Sequence, residues 1–201
     1  EGIQYVEISD TTLVKKKASI KMLKEVHSVM PAIYQETGVM IRFLASFRRI
    51  PLTIVRDSIS ANNYKDNLEA LYGVMMDPYV AGSDIVGEEI NDIRELKPLI
   101  QEITHLAAMD DSFVIRIHAG ENDSLRDNVY NSIRCVEESL EKNQRMPHVR
   151  IGHGLYTANL STVKGKAFLE YLKKNHVVLE FQITSNVRLN NLSDLSKHPL
   201  K

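Results

Sequence analysis

Three apolar runs in this sequence end in residues able to do chemistry. Ser112-Phe113-Val114-Ile115-Arg116-Ile117 leads straight into His118, Ala119, Gly120 and Glu121. A neutral imidazole at the end of a strand can ligate a metal. A carboxylate one turn further on can face the same pocket and act as proton donor beside an activated water. The same four residues also read as a polar strand end followed by a helix-capping glutamate, and a short motif of this kind does not choose between the two.

The theme recurs at Val149-Arg150-Ile151-Gly152-His153-Gly154. Glycines on both sides of His153 permit tight turns and close approach of the backbone to a ligand. His153 reads as a general base or electrostatic partner of an attacking hydroxide, or as a histidine hydrogen-bonded in a loop. Two histidines at the ends of successive strands favour the functional reading, because such ends share one face of a parallel sheet. A third run, Val80 to Gly87, carries Asp84 within it and ends at Gly87, whose bare N–H could meet a flat ligand. The alternative there is a turn glycine before a Glu88-Glu89 pair at a helix N-terminus. Thr184-Ser185-Asn186 follows the last run and reads as a pocket floor or a helix cap. His27, His105, His148, His176 and His198 read as structural or solvent-facing, and Cys135 as a small core residue.

These ends need a scaffold that brings them together. Apolar runs begin at residues 5, 39, 80, 112, 149 and 177, about 34 residues apart, a spacing that predicts strand-plus-helix units. The stretches between them are helical in period. Leu125, Val129, Ile133, Val136 and Leu140 lie on one face of a helix, as do Leu13, Ile20, Leu23, Val26, Met30 and Ile33. Pro98 is expected to kink or split its stretch. The order predicts an open doubly wound sheet or a (β/α)8 barrel. No glycine-rich phosphate loop supports the former. A barrel of eight such units needs about 250 residues, so this chain is two units short.

Composition narrows the class. The 201 residues are 43% hydrophobic and 25% charged with a net charge of -1, which reads as a soluble globular chain forming one domain over residues 1–201. A near-neutral balance argues against nucleic acid as a partner, and no apolar run is long enough for a membrane helix. One cysteine supplies neither an intrachain disulfide nor a cysteine zinc cage. The compartment stays open: absence of a leader reads as cytoplasmic, whereas an N-terminus upstream of Glu1 leaves secretion possible.

The strand-end motifs together resemble the adenosine deaminase family, a branch of the metal-dependent hydrolases. The resemblance rests on His-Ala-Gly-Glu at 118–121, Arg-Ile-Gly-His-Gly at 150–154, Ser-Asp-Ile-Val-Gly-Glu-Glu at 83–89, Tyr-Val-Glu-Ile at 5–8 and Thr-Ser-Asn at 184–186. Ser185-Asn186 through Leu192-Ser193-Asp194-Leu195 to His198-Pro199 is most similar to the adenosine deaminase growth factor branch. The resemblance implies a (β/α)8 barrel holding one zinc and a purine nucleoside substrate deaminated by hydrolysis. It implies that His118 is a zinc ligand and that Glu121 protonates the purine ring nitrogen N1. By the same token, His153 orients and helps deprotonate the water, and the Gly87 N–H donates to N3.

The chain also departs from the family pattern. It lacks the family's His-x-His pair on the first strand, and its Asp110-Asp111 pair precedes a strand in the wrong unit. It therefore reads as a fragment covering units two to seven, with the first and last strands missing and the zinc site incomplete. Three expectations follow: a piece of a deaminase that is inactive alone, a degenerate non-catalytic purine- or partner-binding relative, or another metal-dependent amidohydrolase. Exposed sheet edges at Tyr5–Ser9 and Val177–Ser185 imply homo-oligomerisation or pairing with the absent strands.

Overall fold

The computed structural model describes residues 2–49, 58–188 and 192–198, with the side chains of 58–63 and 197 left aside. Pro199 of the tail motif lies outside the described residues. Six strands alternate with helices: β1 (Tyr5–Asp10), α1 (Lys16–Thr37), β2 (Met40–Arg48), α2 (Ser58–Tyr72), β3 (Val80–Val86), α3 (Lys97–Ala107), β4 (Val114–Ala119), α4 (Asn128–Glu137), β5 (His148–His153), α5 (Val163–Lys174), β6 (Val178–Phe181) and a short α6 (Ile183–Arg188). The six strands form one parallel sheet in chain order, β1-β2-β3-β4-β5-β6. That order is the winding of a (β/α)8 barrel, of which this is an incomplete, curled part; a doubly wound sheet would reverse its strand order part-way.

Local chemistry explains the elements. β4 alternates strictly: Ile115, Ile117 and Ala119 are fully buried, and Val114, Arg116 and His118 point to the other face. The buried set packs with Phe43, Ala45, Phe47, Ile85, Val149 and Ile151 against Leu23, Leu71, Ile100, Ile103, Val129, Ile133 and Leu172 of the helices. Pro98 stands in the first turn of α3, just after a 3-10 turn at Ile93–Leu96, so it splits its stretch there and leaves the α-helix unkinked. No helix follows Glu88-Glu89 directly, so the reading of that pair as a helix N-terminus is corrected. The Asp110-Asp111 pair lies at the N-terminal end of β4, where Asp110 Oδ1 accepts from the Ser112 N–H at 2.8 Å.

The inner face of the curled sheet is charged. Arg150 on β5 reaches Glu7 on β1 at 2.5 Å and also pairs with Glu180 on β6. Glu180 in turn takes Arg116 Nε at 2.6 Å, Arg116 Nη1 meets Asp84 Oδ2 at 2.6 Å, and Ser9 donates to the same oxygen at 2.5 Å. Only a curled sheet lets β1 and β5 touch, because three strands separate them in the ladder order. β1 and β6 are the edges of the described sheet, and Ile8 and Val178 there are 41% and 50% exposed.

Candidate active site

All four residues singled out from the sequence line one cavity of about 540 Å3 at the C-terminal ends of the strands: Gly87, His118, Glu121 and His153, with Glu88, Glu89, Asn122 and Ser185. A larger groove of about 750 Å3 lies between α2 and α3. It is lined chiefly by apolar and aromatic side chains of the helix layer and gathers no histidine.

His118 is the last residue of β4 on the inner face, and its partner in the ladder is Gly152. A Cβ at 152 would stand 3.0 Å from His118 Cδ2 and 3.4 Å from Arg116 Nη2. The glycine thus leaves room for both side chains. The His118 and His153 rings meet edge to face with centroids 5.2 Å apart.

His153 is bent into the cavity by an unusual backbone. Its φ is +73° and Gly154 follows at +56°. A non-glycine residue in that region costs about 1–3 kcal/mol, which the surroundings must hold in place. They do so through the Gly154 N–H on Ala119 O at 3.0 Å and the Tyr156 N–H on Gly120 O at 3.0 Å. Asn186 Oδ1 lies 3.0 Å from His153 Nδ1. An amide oxygen only accepts, so Nδ1 is the donor in this pair, which leaves Nε2 turned toward the cavity. That Nε2 is 3.7 Å from Glu121 Oε1, and both side chains are largely buried. Asn186 belongs to the Thr184-Ser185-Asn186 set. It sits on α6, beyond the end of β6, and is fully buried beside His198, which is itself buried.

The metal question turns on His118 Nε2. Arg116 Nη1 is 2.7 Å from that nitrogen, so the lone pair a metal would take accepts a hydrogen bond instead. Asp84 Oδ1 is 3.5 Å from it, fully buried and without a hydrogen bond. Burial acts to raise the Asp84 carboxyl. His118, Arg116 and Ser9 outweigh it and leave the group below its ordinary value. Among the described residues no three His, Cys, Asp or Glu side chains gather to hold an ion. The described residues therefore do not by themselves fit a catalytic zinc, which takes about three protein ligands.

Some residues of the site escaped the sequence reading. Arg116 and Arg150 interrupt apolar strands, and strict alternation already places them on the face opposite the core. Arg49 and Glu89 carry no such signal. They form a buried pair behind the His118–Asn122 segment.

A family model described as "Adenosine deaminase" matches residues 1–201. The chain belongs to the adenosine deaminase family. It is 30% identical over 132 residues to the adenosine deaminase of Lactococcus lactis subsp. lactis, covering 65% of this chain and 32% of that protein. It is also 30% identical to the adenosine deaminases of Plasmodium gallinaceum, over 60% of this chain and 28% of that protein, and Clostridium kluyveri, over 61% and 29%. The chain spans about a third of the length of the curated relatives it matches. Adenosine deaminase family members are hydrolases and are generally metal-dependent. No described helix is long and apolar enough to cross a membrane.

Proposed function

We propose that this chain is the central part of a zinc-dependent purine nucleoside deaminase that hydrolyses adenosine to inosine and ammonia. The observation that carries the reading is the convergence of His118, Glu121, His153 and Gly87 on one cavity, with His153 Nε2 3.7 Å from Glu121 Oε1. An acid and a base that close together can serve the two sides of one addition.

In this reading Glu121, protonated, donates to the purine ring nitrogen N1 and draws electron density from C6. His153, with its lone pair on Nε2, takes a proton from the water that adds to C6. The C6–N bond then breaks as His153 returns its proton to the amino group, ammonia leaves, and the C6 hydroxyl proton passes back to Glu121, so that the purine keeps a carbonyl oxygen at C6. The Gly87 N–H donates to N3 and sets the plane of the base. Its φ of +114° and the absence of a side chain let the backbone come close. If a zinc is bound, His118 would have to exchange its hydrogen bond with Arg116 for the ion, and the other ligands would come from outside the described residues. No step is assigned to the metal, because these residues alone do not hold it.

On this proposal the 201-residue chain alone releases no ammonia from adenosine, and the full-length protein does. A coupled ammonia assay on the full-length protein tests it, and Glu121→Gln should lower kcat by about 100-fold or more. A full-length protein that binds adenosine without releasing ammonia supports the non-catalytic reading instead. Turnover of a different amide or amine, with adenosine left untouched, supports another amidohydrolase.

A further inference from the structure

The segment that carries His118 and Glu121 is gripped from behind by a buried charge pair. The Glu89 carboxylate accepts the N–H of Gly120 at 3.0 Å and the Asn128 Nδ2 amide at 2.8 Å on Oε1. On Oε2 it accepts the N–H groups of Glu121 and Asn122, both at 2.7 Å. A carboxylate offers about four acceptor positions, so this one is filled and its oxygens serve the loop rather than the cavity. Asn122 Nδ2 adds a bond to Glu89 O at 3.2 Å.

Arg49 completes the grip. Its Nη1 donates to His118 O at 3.0 Å and lies 3.9 Å from Glu89 Oε1, and both side chains are essentially unexposed. Its Nε and Nη2 donate to Asn91 Oδ1 and Asn91 O at 2.8 and 2.5 Å. Asn91 O also accepts from Asn128 Nδ2 at 3.1 Å. One pair therefore fixes the carbonyl at 118 and three successive amides at 120–122. Gly120 suits that path, with φ +75° and no room for a Cβ, which would stand 2.6 Å from Val129 Cγ2.

We propose that Glu89, backed by Arg49, is the positioning residue that fixes Glu121 over the cavity, and that it does not itself touch the substrate. The proposal rests on the deaminase reading for its kinetic consequence, but not for its structural one. Displacement of a reacting group by about 1 Å can cost about 100-fold in rate. In Glu89→Gln one acceptor becomes an N–H2 that must face two donors, so Glu89 loses two of its four bonds and the loop one or two of its three amide anchors.

The test uses the full-length protein and two readouts. Hydrogen exchange of a peptide spanning 118–124 should rise at least about tenfold in Glu89→Gln, with peptides of α1 unchanged. In adenosine deamination, kcat should fall about 100-fold with KM moving less than about threefold. In the Glu121→Gln background the same substitution should cost less than about threefold more, because a residue that acts through Glu121 has nothing left to position. Unchanged exchange at 118–124 overturns the proposal. So does a Glu89→Gln loss that multiplies in full with that of Glu121→Gln, which would mark a merely structural role. If Glu89→Gln does not fold, Glu89→Asp, which keeps the charge with a shorter reach, carries the same comparison. A wild-type protein that leaves adenosine unchanged overturns the deaminase reading, and the exchange readout still decides whether Glu89 holds the loop.

Discussion

The two faces of the sheet are held by different physics. The outer face is apolar: Phe47, Ile85, Ile115, Ile117 and Ile151 are fully buried against the helices. The inner face carries Glu7, Asp84, Arg116, Arg150 and Glu180 in one chain of ion pairs. Barrel interiors are commonly filled by branched apolar side chains. Apolar burial stabilises without demanding one geometry, whereas paired charges out of water stabilise little unless each partner stands in place. The comparison teaches that the outer face supplies folding energy and the inner face supplies position, directly beneath His118. Arg116 belongs to both the ion-pair chain and the site.

The difference can be broken from either side. Phe47→Ala, on the outer face, should cost about 3–5 kcal/mol in urea unfolding, since a fully buried ring leaves a cavity. Arg116→Met should cost about 3 kcal/mol, because it strips the counter-charge from Asp84, which is fully buried. An unfolding midpoint equal to wild type would show that Asp84 is satisfied some other way. Arg150→Met should cost less, about 1 kcal/mol, because its side chain is 23% exposed. Raising the salt to about 1 M should shrink the Arg150→Met difference and leave the Phe47→Ala difference intact. A Phe47→Ala cost that also fell with salt would contradict the division of labour between the faces.

The smallest effect concerns Cys135, on α4 in the helix layer. Burial pushes its thiol up to about 11, well above an ordinary cysteine. A disulfide reagent at pH 8 should label it slowly in the folded protein and at once in denaturant. Equal rates in both states would show that the helix layer around α4 opens readily.

Much of this was legible in advance. Each βα unit announces itself through an apolar run and a helical period, whose spacing left a doubly wound sheet and a barrel both open until the strand order decided for the barrel. The cavity residues His118, Glu121, His153 and Gly87 were legible because strand ends in such a fold point the same way. Their neighbours were less so. Glu88 and Glu89 are adjacent and alike in sequence, yet only Glu89 turns inward to cap the loop at 120–122. Asn186 lay within a set read as a pocket floor or a cap, and its bond to His153 Nδ1 joins residues 33 positions apart.

Local periodicity thus determined the elements, their parallel direction and the end of the sheet at which chemistry could gather, because those follow from side-chain alternation and chain direction. Only the tertiary structure decided which polar side chains meet. It set Arg116 against His118 Nε2, chose Glu89 and Arg49 as the grip on the loop, and brought Asn186 Oδ1 to His153 Nδ1. Those choices depend on sheet curl and on distances of a few ångströms between residues far apart in the chain, and no local pattern encodes them.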